Sequence, residues 1–125
     1  MVREKPVILN VDDDQDYLDA VRVILESNGY EMLEARTAEE GIRVYKEHRP
    51  DLVIVDLMME EVDSGTSFVK EIRAAGNDVP IYLLSSVGDQ FNLSTDYTEL
   101  GLAGIFQKPI NEKTLLRVLE ARLKK

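Results

Sequence analysis

One short apolar run, at residues 52–56, constrains the fold of this chain more than any other segment. It reads Leu-Val-Ile-Val-Asp, it follows Pro50 and Asp51, and it ends at the carboxylate of Asp56. A short β-branched run with these boundaries predicts a strand that is buried on both faces. An aspartate that closes such a strand lies at the carboxyl edge of a parallel sheet, where open α/β folds place their ligands.

Four more apolar runs alternate with amphipathic segments along the chain. The five predicted strands cover Val7–Val11, Glu31–Ala35, Leu52–Asp56, 80–85 and 103–106. Apolar residues at helical spacing predict helices around residues 18–25, 38–45, 68–75 and 112–123, and a further helix that starts at Asp89 or at Ser94. This alternation predicts a parallel sheet with helices on both faces and right-handed crossovers.

Length, charge and composition narrow the classes of function. At 125 residues, the chain is expected to form one domain over residues 1–125, with no output domain. The net charge of −9 disfavours nucleic acid and anionic membranes as direct partners. The lack of cysteine excludes thiol chemistry and Cys-based zinc sites. The first apolar run is too short for a signal peptide or a membrane span, so a cytoplasmic location is expected.

Charged and hydroxyl side chains follow four of the predicted strands at one edge of the sheet. They are Asp12 and Asp13 after the first strand, Asp56 at the end of the third, Ser85 at the end of the fourth and Lys108 after the fifth. Two unit charges about 4 Å apart repel by roughly 4 kcal/mol at an effective dielectric constant of about 20. Three carboxylates beside one lysine therefore require a bound proton or a bound cation. Because the available ligands are hard oxygens, Mg²⁺ or Mn²⁺ is favoured over zinc or copper.

The same edge favours phosphoryl chemistry. A carboxylate nucleophile beside such a metal ion, here Asp56, can form an aspartyl phosphate. The charge that develops on the phosphoryl oxygens requires cations and hydrogen-bond donors that are already in place. The Lys108 ammonium, the Ser85 hydroxyl and the metal ion meet that requirement.

Four segments together resemble the receiver domain of bacterial two-component response regulators, and the resemblance covers essentially the whole chain. They are residues 8–14, 51–59, 80–86 and the pair Lys108-Pro109. Their order, their spacing and their position at strand ends carry the resemblance. It implies a flavodoxin-like (βα)5 fold, a doubly wound sandwich in which the five parallel strands lie in the order 2-1-3-4-5.

The resemblance also implies a role for each strand-end side chain. Asp56 would accept a phosphoryl group from a phosphohistidine on a sensor histidine kinase or a histidine phosphotransfer protein. The implied Mg²⁺ ligands are Asp13, Asp56 and the carbonyl of Met58, with Asp12 assisting through water; the implied phosphoryl contacts are the Ser85 hydroxyl and the Lys108 ammonium. The signal would reach a downstream protein target through a changed binding surface or a phosphorelay. No catalysis is expected beyond the domain's own phosphorylation and dephosphorylation.

Three features depart from the pattern of that family, and one of them is the loop over residues 61–65, which looks one residue longer than usual. Glu60 replaces the usual proline after two methionines, and Ile105 replaces the usual Tyr or Phe three residues before the lysine. Phe106 is aromatic, but it is expected on the other face of its strand because successive side chains alternate. A β-branched residue has few χ1 rotamers, so the aromatic part of the family's switch is expected to be missing.

Two other functions remain open from the sequence. The first is a Mg²⁺-dependent phosphatase of the haloacid-dehalogenase kind, in which Asp12 would be the nucleophile. The second is a receiver-like binding module that is never phosphorylated. The joint presence of Asp13, Asp56, Ser85 and Lys108 argues against the second alternative.

Overall fold

The computed structural model describes residues 5–56, 64–76, 79–85 and 101–123. Five strands form one parallel sheet in the order β2-β1-β3-β4-β5, which confirms the predicted fold class and strand order. The strands are β1 (Val7–Val11), β2 (Glu31–Ala35), β3 (Leu52–Asp56), β4 (Ile81–Ser85) and β5 (Gly104–Gln107). Their boundaries agree with the predicted ones to within one residue.

The described ranges contain four helices, which are α1 (Gln15–Glu26), α2 (Ala38–His48), α3 (Ser64–Ala74) and α4 (Glu112–Leu123). Three of these helices have a side-chain cap at the N-terminus, because the free backbone N–H groups of a first helical turn need an acceptor. The cap oxygens belong to Asp14, Thr37 and Asn111, and they accept from backbone N–H groups three residues later. The helix predicted to start at Asp89 or Ser94 lies outside the described residues. None of the described helices has the length and apolar character needed to cross a membrane.

Alternate residues of each strand face two separate cores, because side chains on a strand point to opposite sides. Val53 and Val55 face the core under α2 and α3, whereas Leu52 and Ile54 face the core under α1 and α4. The same alternation places neighbouring side chains of β5 on opposite faces. Ile105 packs on the core under α2 and α3, and Phe106 is buried in the core under α1 and α4. The prediction that Phe106 occupies the face opposite Ile105 is therefore confirmed.

The strand register brings the acidic residues to one edge. β1 and β3 are neighbours, and Val11 lies beside Val55 in the last pair of their ladder. The next residue on each strand is an aspartate, so Asp12 and Asp56 follow side by side. On the other flank of β3, β4 and then β5 end at the same edge, where Ser85 pairs with Gln107.

Candidate functional site

Three carboxylates meet at the carboxyl edge of the sheet. One oxygen from each of Asp12, Asp13 and Asp56 lies within 4.8 Å of the others. Asp12 is fully buried and Asp56 is 4% exposed, whereas Asp13 reaches solvent. The backbone fixes Asp12 firmly, because its N–H donates to the carbonyl of Ala35 and its Oδ1 accepts from the N–H of Asp14. The cluster is thus built into the ends of two central strands.

Lys108 brings the positive charge to this cluster. Its Nζ lies 3.0 Å from Oδ2 of Asp12 and 3.2 Å from Oδ2 of Asp56. Burial works to lower the pKa of Lys108, but the short contact and charge of Asp12, followed by those of Asp56, outweigh it and leave that pKa above its ordinary value. The ammonium therefore stays charged at neutral pH and partly compensates two buried carboxylates.

Ser85 reaches the same edge as the last residue of β4. It is half-buried, and its carbonyl accepts a 2.8 Å hydrogen bond from the backbone N–H of Lys108. This bond ties the end of β4 to the lysine that pairs with Asp56. Met58, the remaining predicted metal ligand, lies outside the described residues.

The sequence and the fold of this chain are similar to those of known proteins. The sequence model of the response regulator receiver domain matches residues 8–120. The chain belongs to this family. Chemotaxis protein CheY of Bacillus subtilis is 36% identical over 115 residues, which cover 91% of this chain and 92% of that protein.

Longer relatives and solved structures extend the comparison. The chain spans about half the length of the probable transcriptional regulator ycf27 of Porphyridium aerugineum, with 34% identity over 97% of this chain and 48% of that one. A CheY-like receiver domain protein of Methanospirillum hungatei superimposes with a TM-score of 0.86 at 26% identity, covering 96% of this chain and 94% of that one. For chemotaxis protein CheY4 of Vibrio cholerae, the TM-score is 0.84 at 28% identity, with coverage of 94% and 98%.

The acidic residues of this receiver domain fit a hard divalent cation. Three carboxylates face one ammonium, which leaves negative charge uncompensated. Oδ2 of Asp12 is buried and makes no hydrogen bond of good geometry within the described ranges, although Lys108 lies close to it. Carboxylate oxygens in this number are ligands that Mg²⁺ and Mn²⁺ accept, and the described part of the cluster offers no imidazole or thiolate.

Tyr17 of α1 is a part of the site that sequence reasoning missed. Its ring lies under the lysine, with Nζ of Lys108 4.8 Å from the ring centroid. Burial raises the pKa of the Tyr17 hydroxyl to about 12, although the Lys108 ammonium opposes this shift. One sequence signal was available: Tyr17 stands three residues after the capping residue Asp14, in the first turn of the helix that follows the acidic cluster.

Asn10 is a second residue near the site that sequence reasoning missed. In the sequence it is only a polar interruption in an apolar strand. It is fully buried in β1, two residues before Asp12 and therefore on the same face of the sheet. Neither its amide nitrogen nor its amide oxygen has a hydrogen-bond partner within the described residues. A buried amide in this state costs stability, so its position directly below the cluster calls for a test.

Asp12, the nucleophile of the alternative phosphatase function, is the more enclosed of the two buried carboxylates. Its side chain is fully buried, Oδ1 accepts from the backbone N–H of Asp14, and Oδ2 lies beside Lys108. Asp56 ends its strand at the same edge and shares the lysine.

Proposed function

We propose that Asp56 accepts a phosphoryl group from a phosphohistidine on a sensor histidine kinase or a histidine phosphotransfer protein. The observation that carries the proposal is the position of the Asp56 carboxylate, which lies in an acidic cluster and 3.2 Å from the Lys108 ammonium. A carboxylate nucleophile needs positive charge near the phosphoryl oxygens as the reaction proceeds. Lys108 is already held where it can supply that charge.

The transfer exchanges one bond to phosphorus for another. An oxygen of the Asp56 carboxylate attacks phosphorus, and the bond from phosphorus to the histidine nitrogen breaks. The nitrogen keeps that electron pair, and a proton already carried by the other ring nitrogen of the phosphohistidine leaves the partner with a neutral imidazole. Lys108 neutralises charge on the phosphoryl oxygens, and the hydroxyl of Ser85 donates a hydrogen bond to one of them. Hydrolysis of the acyl phosphate then returns Asp56 to its carboxylate.

A divalent cation completes the proposed site. Asp13 and Asp56 would hold Mg²⁺ directly together with the carbonyl of Met58, and Asp12 would assist through water. Mn²⁺ has similar ligand preferences and would substitute. When bound, the cation supplies charge that offsets the carboxylates and the incoming phosphoryl group. Lys108 would remain the ion-pair partner of Asp12 and Asp56.

Phosphorylation would change how the domain binds a downstream protein target, or pass the phosphoryl group onward in a relay. The overall charge of −9 supports protein rather than nucleic acid as the direct partner of this domain. Any catalysis would be limited to the domain's own phosphorylation and dephosphorylation.

Acetyl phosphate with Mg²⁺ tests the proposal without a kinase. The protein is incubated with both, its intact mass is measured, and the modified residue is mapped after borohydride reduction of the acyl phosphate. We expect one phosphoryl group on Asp56, its loss in Asp56→Asn, and its retention in Asp16→Asn, which removes an exposed acid of α1 outside the cluster. Modification at Asp12 would instead support a phosphatase, and no modification would support a binding module that is never phosphorylated.

A further inference from the structure

The ammonium of Lys108 has an aromatic neighbour as well as its two carboxylates. The centroid of the Tyr17 ring lies 4.8 Å from Nζ, within the range of a cation–π contact. We propose that Tyr17 is a positioning residue that holds the Lys108 ammonium beside Asp56 for phosphoryl transfer. This role rests on the proposed function, but the contact itself can be tested separately.

The acidic turn that supplies the cluster also places the ring. Asp12 accepts a 3.0 Å hydrogen bond from the N–H of Asp14 through its Oδ1. Asp14 in turn caps α1, and its Oδ1 accepts from the N–H of Tyr17 at 3.2 Å. Two hydrogen bonds therefore link the backbone that carries the ring to the carboxylate beside which Lys108 lies. The position of Tyr17 in the first turn of α1 is therefore coupled to the site.

The surroundings of Tyr17 allow the ring and the hydroxyl to be considered separately. The ring packs on the core under α1 and α4, next to Ile110. The hydroxyl is buried near the backbone of Ile110 but makes no hydrogen bond of good geometry within the described residues. A buried tyrosine hydroxyl usually has a partner. The contact with Lys108 is made by the ring face, so a phenylalanine at this position would retain it.

The ring matters because a lysine side chain is long and flexible. Holding the ammonium in one place costs rotamer entropy, and its attraction moves from the carboxylate to the phosphoryl oxygens as Asp56 is phosphorylated. The ring contact does not depend on the charge of Asp56. It therefore continues to restrain the ammonium as the charge moves from the carboxylate to the phosphoryl oxygens. Without the ring, we expect transfer to slow by about two- to tenfold, as follows from the usual strength of such contacts.

Three variants separate positioning from simple packing. Tyr17→Phe keeps the ring, whereas Tyr17→Leu removes it. Tyr30→Leu is the matched control, since it also removes a tyrosine from the same core but away from the site. Tyr30 is fully buried and lies at the amino end of β2, whereas the site lies at the carboxyl ends of the strands. The rate of phosphorylation by acetyl phosphate is measured for all three, because this small donor requires no partner protein. The ¹H and ¹⁵N shifts of the Lys108 Hε protons and ammonium are recorded in parallel, since protons above a ring face are shifted upfield.

We expect the wild type and Tyr17→Phe to share the rate and the upfield Lys108 signals, and Tyr17→Leu to lose both. Tyr30→Leu should be less stable but should keep the rate and the signals. Unchanged Lys108 shifts in Tyr17→Leu would overturn the contact. An equal loss of rate in Tyr17→Leu and Tyr30→Leu would overturn positioning in favour of general destabilisation. If the wild type shows the upfield shifts but Asp56 is never phosphorylated, the proposed function fails while the contact stands, and the positioning role falls with it.

Discussion

Lys108 Nζ lies 3.2 Å from Oδ2 of Asp56, although 52 residues separate the two in the chain. Their strands, β5 and β3, are not neighbours, because β4 lies between them. The contact is possible because all three strands end at the same edge and the lysine side chain is long enough to cross β4. One ammonium is therefore shared by carboxylates of β3 and of the residue after β1.

Mg²⁺ should raise the melting temperature of the wild type, because the cluster exists only in the folded state. Asp13→Asn removes the exposed carboxylate of the cluster, so its response to Mg²⁺ should be much smaller than that of the wild type. Asp16→Asn makes the same charge change on α1 and should respond as the wild type does. Thermal melts with and without the metal provide the measurement. An undiminished response of Asp13→Asn would exclude this carboxylate as a ligand.

Lys108→Gln should destabilise the metal-free protein, since two buried carboxylates would lose their cation. The expected cost is about 1–3 kcal/mol, below that of fully buried pairs because 21% of the lysine side chain is exposed. Mg²⁺ should recover more stability in this variant than in the wild type. Denaturant unfolding measures both effects, with the exposed Lys113→Gln of α4 as the control. Equal losses in the two variants would show that the carboxylates do not depend on Lys108.

The stabilising effect of Lys108 should also depend on pH in a defined direction. Its folded-state pKa is raised above the ordinary value of 10.5, so its contribution is fully present below that value. The contribution is lost as pH rises through the folded-state pKa. The difference in unfolding free energy between the wild type and Lys108→Gln should therefore stay constant from neutral to mildly alkaline pH. A decline near neutral pH would mean that the lysine is not held in its charged form.

The ion pair between Arg22 and Glu34 should stabilise the fold at neutral pH and lose this effect in acid. Hydrogen bonds from Arg22, and then from Gln15, lower the pKa of Glu34 below its ordinary value of 4.5. This stabilisation is present above 4.5 and is lost as pH falls through the folded-state pKa. Arg22→Ala should thus be less stable than the wild type at neutral pH, and the difference should shrink in acid. Arg43→Ala removes only exposed pairs at 3.7 Å and should show little of either effect. Melts across this pH range would contradict the linkage if the Arg22→Ala difference were independent of pH.

Asn10→Val should stabilise the protein by about 1–3 kcal/mol, because it replaces a buried amide that has no partner among the described residues with an apolar group. Asn28→Val is the matched comparison. The Asn28 amide donates to the carbonyl of Ile24 at 2.7 Å, so its loss should destabilise. Denaturant unfolding of both variants measures the effects. A destabilised Asn10→Val would indicate that the Asn10 amide has a partner, such as a buried water below the acidic cluster.

Local patterns were sufficient to predict the elements and the edge at which chemistry is expected. Short apolar runs that end at Asp56 and Ser85 predicted the strands, and Asp14, Thr37 and Asn111 lie where their helices begin. Parallel strands direct all their carboxyl ends to one side, so the convergence of Asp12, Asp13, Asp56 and Lys108 followed from connectivity. The strand order came from resemblance to a family, because periodicity alone does not say which strands are neighbours.

Only the tertiary structure showed which side chains lie close to one another at the site and which of them are buried. A sequence gives the face of an element but not the rotamer of a lysine, so the shared contact of Lys108 with Asp12 and Asp56 required coordinates. Tyr17 reads as part of an amphipathic helix until the fold brings its ring to the ammonium of Lys108, the residue after β5. Asn10 reads as a polar interruption until the covering layer of helices buries it completely. Sequence therefore determined the elements and the edge, while packing between elements distant in the chain decided which side chains surround the charge.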